Sequence, residues 1–170
     1  MVNWMKLAEG TTPEIKRMCK IAKQLERTLD FVLFMTSKRL MPPINDIHET
    51  FALTDRLIRH LKLFGEMVAA NEKERKDLEI KVRSLWNEIN KSKDEIIDAV
   101  KLNNPDKVAA NLVTVYTFLH STVYTIINEV KKAIEETYNK NIGLITLKTL
   151  GVIKPPKELL PPIMFRREGE

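Results

Sequence analysis

The chain has 170 residues, 44% hydrophobic and 30% charged, with a formal net charge of +5. That length can bury a sizeable core without metals or cross-links, and the mix of apolar and charged residues excludes a disordered or fibrous chain. The one cysteine, Cys19, excludes an internal disulfide and a thiolate zinc site.

The first twelve residues read as an N-terminal arm. They lack the continuous apolar run of a signal peptide, so a cytoplasmic location is the expectation. A helix should begin after Thr12, the N-cap, with Pro13 at the first helical position and Glu14 against the helix dipole. Ile15, Met18, Ala22, Leu25, Leu29 and Val32 follow at spacings of three and four and form its inward face. The helix ends before Pro42 and Pro43, and the run Phe31-Val32-Leu33-Phe34-Met35 predicts burial on more than one side there.

The next helix should start at a cap on Asn45 or Asp46 and carry a seam of Ile47, Phe51, Ile58, Leu61 and Val68. Residues 71–77 are then all polar, after which Leu78, Val82, Leu85, Ile89, Ile96 and Ala99 resume the seam. Two readings fit. In one, Gly65 ends the helix and Asn71 caps a new one, with Glu74 completing a capping box; in the other, one helix runs unbroken near 46–103. Mean helix length favours the break.

The last long helix opens at Asn104, with Pro105 first and Asp106 in its first turn, and should run to Tyr138. Tyr116, Leu119, Val123, Ile126, Val130 and Ala133 keep the helical spacing, which outweighs the strand preference of its many Val, Thr and Ile residues. Between Lys107 and Glu129 no residue carries a formal charge, so a solvated outer face is excluded and something must cover it. Asn111, His120 and the hydroxyls in this stretch argue against a membrane span. Beyond Asn139, Gly143, Gly151 and two Pro-Pro pairs break up an apolar segment, residues 140–170, too hydrophobic to be a solvated linker.

The expected fold is therefore all-α: an antiparallel bundle of long helices, four of them, or three with one continuous helix near 46–103. The bundle spans 13–139, with an apolar, proline-rich tail over 140–170 docked on it or on a partner subunit. A homodimer is one way to cover the uncharged stretch, and Tyr116, Thr117, His120, Ser121 and Tyr124 are the candidate interface.

No catalytic, cofactor or metal site emerges. None of the three histidines follows a glutamate by three residues, as a di-metal bundle requires, and no two glycines are close enough for a phosphate loop. Cys19 has only apolar residues and Lys23 at helical spacing and reads as core. Tyr116, His120 and Tyr124 stack on one helical face and could form a polar-aromatic site, although the same spacing suits ordinary packing.

Charge is uneven: residues 1–40 hold eight Lys and Arg against four Asp and Glu. Lys16, Lys20, Lys23 and Arg27, with Arg17 beside them, run down one face of the first long helix and are the candidate nucleic-acid contacts. The preferred reading is a non-catalytic structural or protein-interaction module that self-associates, with a nucleic-acid-binding accessory protein as the alternative and an enzyme with a diffuse bundle site as the third. Abundant Ile, Lys and Glu with a single Gln24 hint at a thermophilic source.

Overall fold

The computed structural model describes residues 2–136, so the tail placed at 140–170 lies outside the described residues. Helices α1 (Trp4–Ala8), α2 (Pro13–Ser37), α3 (Ile44–Val68), α4 (Glu72–Lys101), α5 (Pro105–Thr117) and α6 (Tyr124–Glu136) follow in order, with a π-helical turn at Phe118–Val123 joining the last two into one helix. The fold is an all-α bundle.

Connections of a few residues force successive helices to run antiparallel. Gly65 of α3 meets Leu78 of α4, while Asp55 accepts a hydrogen bond from Trp86, so rising numbers on one helix meet falling numbers on the other. The same holds for α4 and α5, where Ser92 bonds Thr114 and Glu95 faces Lys107. Helix α2 closes the ring by packing on both α3 and α5. The shared core holds Leu25, Leu29, Leu57, Leu61, Leu85, Ile96, Leu112 and Phe118.

Local chemistry sets most helix ends. Thr12 accepts from the Ile15 amide, Asn71 from Glu74 and Asn104 from Lys107, each satisfying an amide that the first turn leaves unpaired. Glu74 also reaches back, accepting from the Ala70 amide at 2.7 Å. At the C-termini, Arg39 and Asn103 take left-handed backbone angles, which lets Leu40 and Asn104 donate back to Met35 and Ala99.

Four expectations change. The 46–103 segment is two helices, but Gly65 does not end the first, which continues to Val68. A Cβ on Gly65 would sit 2.7 Å from Leu78 Cδ2, so the glycine is there to let α3 and α4 approach. Helix α3 begins at Ile44 with Pro43 as its N-cap and no side-chain cap bond; the Pro43 carbonyl accepts from Asp46 and Ile47 instead. The N-terminal arm contains a helix, α1, that packs on α2 and α6. Finally, Phe31 and Phe34 are 43% and 55% exposed, because α2 turns Val32 and Leu33 into the core and leaves these two rings outside.

Most of the uncharged stretch is covered within the chain, and eight of its residues, Tyr116, Ser121 and Tyr124 among them, are half-buried. Of residues 108–128 only Ala110 is exposed, since α2 and α4 flank α5, and α1 lies on α6. Among the described residues no helix is long and apolar enough to cross a membrane.

Candidate functional site

Two surfaces of α2 gather the chemically distinctive residues. Its inner edge carries Glu26, which is only 4% exposed. Trp4 of α1 donates its indole N–H to Glu26 Oε2 at 3.2 Å, and His120 Nε2 lies 3.5 Å from the same oxygen. His120 is 7% exposed and its Nε2 makes no hydrogen bond. The Tyr116 ring sits 4.3 Å from the imidazole, and Trp4 meets Tyr124 edge-on at 6.4 Å.

The π turn matters here because its wider bonding, with the Tyr124 amide donating to the Leu119 carbonyl, brings Phe118, Leu119, His120, Thr122 and Val123 all into the interior. Burial pushes both polar partners toward their uncharged forms. The Glu26 carboxyl is raised, chiefly by burial and further by Asp30, with hydrogen bonds from Trp4 and the Val2 backbone opposing. Burial lowers His120 to about 4. Asp30, one turn along α2, is raised by burial, and it and Glu26 join burial in raising the Tyr116 phenol. Lys131 of α6 adds a further tie, donating to the Lys6 carbonyl at the end of α1. The cluster is thus the anchor that holds α1 on the bundle.

Within the candidate interface set, the structure brings Tyr116, His120 and Tyr124 together with Trp4 and Glu26. Thr117 is buried in the core, whereas Tyr116, Ser121 and Tyr124 remain partly open. Cys19 is fully buried, and its thiol is pushed up to about 11 by burial, which leaves it protonated and unreactive at neutral pH.

The outer face of α2 has the opposite character. Its exposed residues are Pro13, Lys16, Arg17, Lys20, Lys23, Gln24, Arg27, Phe31 and Phe34, and no acid is among them. Lys38, the C-cap residue, stands over the Phe34 ring at 5.8 Å from its centre. At 100° per residue Lys16, Lys20, Lys23, Arg27, Phe31, Phe34 and Lys38 fall within about 80° of one another around the axis. No cation of this stripe pairs with an acid among the described residues. The exposed faces of α3 and α4, by contrast, mix both signs, with Asp55–Arg59 and Glu79–Arg83 pairs.

Among the described residues two grooves are formed, the first of them bordered by Arg17. One, of about 630 Å³, opens where α2 begins and α3 ends and is lined by Arg17, His60, Leu63, Phe64, Met67 and Arg75, among others. The other, of about 330 Å³, lies between α3 and α4 beside Trp86 and Asp55. Neither touches the Glu26–His120 cluster. Among the described residues no three His, Cys, Asp or Glu side chains are placed to hold a metal ion.

The Lys and Arg stripe, which sequence spacing left without aromatics, continues in phase through the exposed Phe31, Phe34 and Lys38. Trp4 and Glu26, the partners of His120, were not among the candidate residues. A signal existed for Glu26: an acid four residues after Ala22 and next to Leu25 falls at the edge of the apolar seam, where a charge needs a partner. No family model matches the chain, and neither a curated protein nor a solved structure matches it.

Proposed function

We propose that this protein is a non-catalytic nucleic-acid-binding module whose working surface is the outer face of α2. The observation that carries this reading is the composition of that face: Lys16, Lys20, Lys23 and Arg27 are all exposed with no exposed acid of α2 among them, and Arg17 stands at its edge, on the groove that also holds Glu14 and Glu66. Lys16 to Arg27 spans eleven residues, or about 16 Å of cationic ridge at 1.5 Å per residue. Unpaired cations in line with a phosphate backbone gain affinity by releasing its condensed counterions. The alternative of an ordinary solvated face fits α4 better, where acids and bases interleave.

The test is fluorescence anisotropy with a labelled mixed-sequence oligonucleotide at rising salt. Wild-type binding should weaken steeply with salt, and Lys16→Glu, Lys20→Glu and Lys23→Glu together should abolish it while the helical circular dichroism is unchanged. No measurable binding at low salt would reject the proposal.

A self-associating interaction module is the second reading. It is favoured by Leu63 and Met67, which are 57% and 63% exposed at the groove near the end of α3. Light scattering across a concentration series tests it, with Leu63→Ser and Met67→Ser expected to keep the chain monomeric if that face is the contact.

A further inference from the structure

Resting on the nucleic-acid reading, we infer that the preferred ligand is single-stranded, with Phe31 and Phe34 acting as stacking platforms for unpaired bases beyond the cationic ridge. Duplex DNA offers a ridge of lysines only its phosphates, and its bases are already stacked. A single strand offers both a phosphate backbone and free base faces, and the known solution for binding one is a basic track beside exposed aromatic rings. Helix α2 carries that combination on one face.

The geometry is continuous. Lys16, Lys20, Lys23 and Arg27 occupy the first three turns of the track, and Phe31 and Phe34 follow in the same phase, about 6 Å and 10 Å beyond Arg27 along the axis. Both rings are substantially exposed, because they share the phase of the cationic stripe while Val32 and Leu33 between them face the core. Lys38 lies over the Phe34 ring; a base stacking there would displace the ammonium from the ring and leave it beside the adjoining phosphate. Of the acids of α2 nearest the rings, Glu26 is buried and bonded by Trp4, and Asp30 is half-buried at the edge of the stripe.

An anionic membrane is the competing partner for a helix with cations and phenylalanines. It would require a broad apolar face flanked by cations, so that the helix could sink into the headgroup layer. Here only two rings stand at one end of a ridge that is otherwise charged, which suits a linear polymer better than a plane.

The experiment compares the full chain with Phe31→Leu/Phe34→Leu, which keeps apolar bulk and removes the aromatic faces. Probes are labelled oligo-dT, oligo-U, a DNA duplex of equal length, and vesicles of phosphatidylcholine with phosphatidylserine. The inference expects tighter binding to the single strands than to the duplex. It also expects the double Leu variant to lose about tenfold or more in single-strand affinity with little change for the duplex and an unaltered salt slope. Equal affinity for duplex and single strand, or single-strand binding indifferent to the Leu substitutions, would overturn the stacking inference while leaving nucleic-acid binding standing. Binding to the vesicles alone, or to none of the probes, would reject both.

Discussion

His120 Nε2 and Glu26 Oε2 lie 3.5 Å apart in the interior, and the oxygen they share is already engaged by the Trp4 indole. Both side chains are almost wholly buried, which disfavours a charge on either, so the pair is most stable with the imidazole neutral. The consequence is a defined sensitivity to acid.

The His120 pKa is lowered from 6.5 to about 4 by burial. The unfolded chain therefore takes up this proton first as pH falls, and folding stability drops through the window from about 6.5 to about 4, by on the order of 3 kcal/mol when the window has been crossed. Glu26 acts with the opposite sign, because its folded pKa is raised and its stabilisation is fullest at low pH, lost as pH rises through that raised value. The groups facing His120 are Glu26 from α2, Trp4 from α1 and Tyr116 from its own helix, with Asp30 acting on Glu26 and Tyr116 beside it. Urea unfolding should show His120→Gln flattening the stability profile between pH 6.5 and 4; identical profiles for both proteins would contradict the assignment.

Trp4 is expected to be the main attachment of α1. Trp4→Phe keeps most of the apolar contact but leaves the Glu26 oxygen without its donor, at a cost of about 1–3 kcal/mol. Trp4→Ala should cost about 3–5 kcal/mol. Hydrogen exchange localises the effect: amides of α1 should lose protection in Trp4→Ala well before those of α3 and α4.

Gly65 and Leu78 should be coupled energetically. A methyl on Gly65 gains about 1 kcal/mol of helix propensity but collides with the buried Leu78 side chain. Gly65→Ala is therefore expected to destabilise the native protein and to stabilise the Leu78→Ala variant. A double-mutant cycle with no interaction between the two sites would disprove the close approach.

Cys19 is fully buried with its thiol raised to about 11. Modification by a disulfide reagent at neutral pH should proceed no faster than unfolding and should become rapid in denaturant. Fast modification of the native protein would place Cys19 at the surface.

What could be seen from sequence divides by the range of the interactions involved. The caps Thr12, Asn71 and Asn104 were legible because capping joins residues three apart. The seams of α2, α4 and the last helix were legible because periodicity is likewise local. Gly65 was misread as a helix end because its purpose depends on Leu78, which belongs to another helix. Helix α1 is too short to display a period, and its existence rests on Trp4 finding Glu26 twenty-two positions away. The outward turn of Phe31 and Phe34 was hidden for a related reason. A run of five apolar residues does not disclose that α2 packs on α1, α3 and α5 and leaves its remaining side without a helix among the described residues.

The π turn at Phe118–Val123 makes the last helix a splice of two registers. A wide turn accommodates one residue more than an α-turn, so every side chain after it is swung by about 100° from where a straight helix would carry it. Upstream, the inward stripe of α5 answers to α2 and α4; downstream, α6 answers to α1. One straight stripe could not point at both sets of neighbours, and the extra residue supplies the change of aim. Closing this turn as ordinary α-helix with no residue removed would rotate Ile126, Val130 and Ala133 away from their partners as a block, whereas removing one residue along with the bulge would leave them in place. The length of this helix is in that sense as much a determinant of its packing as its composition.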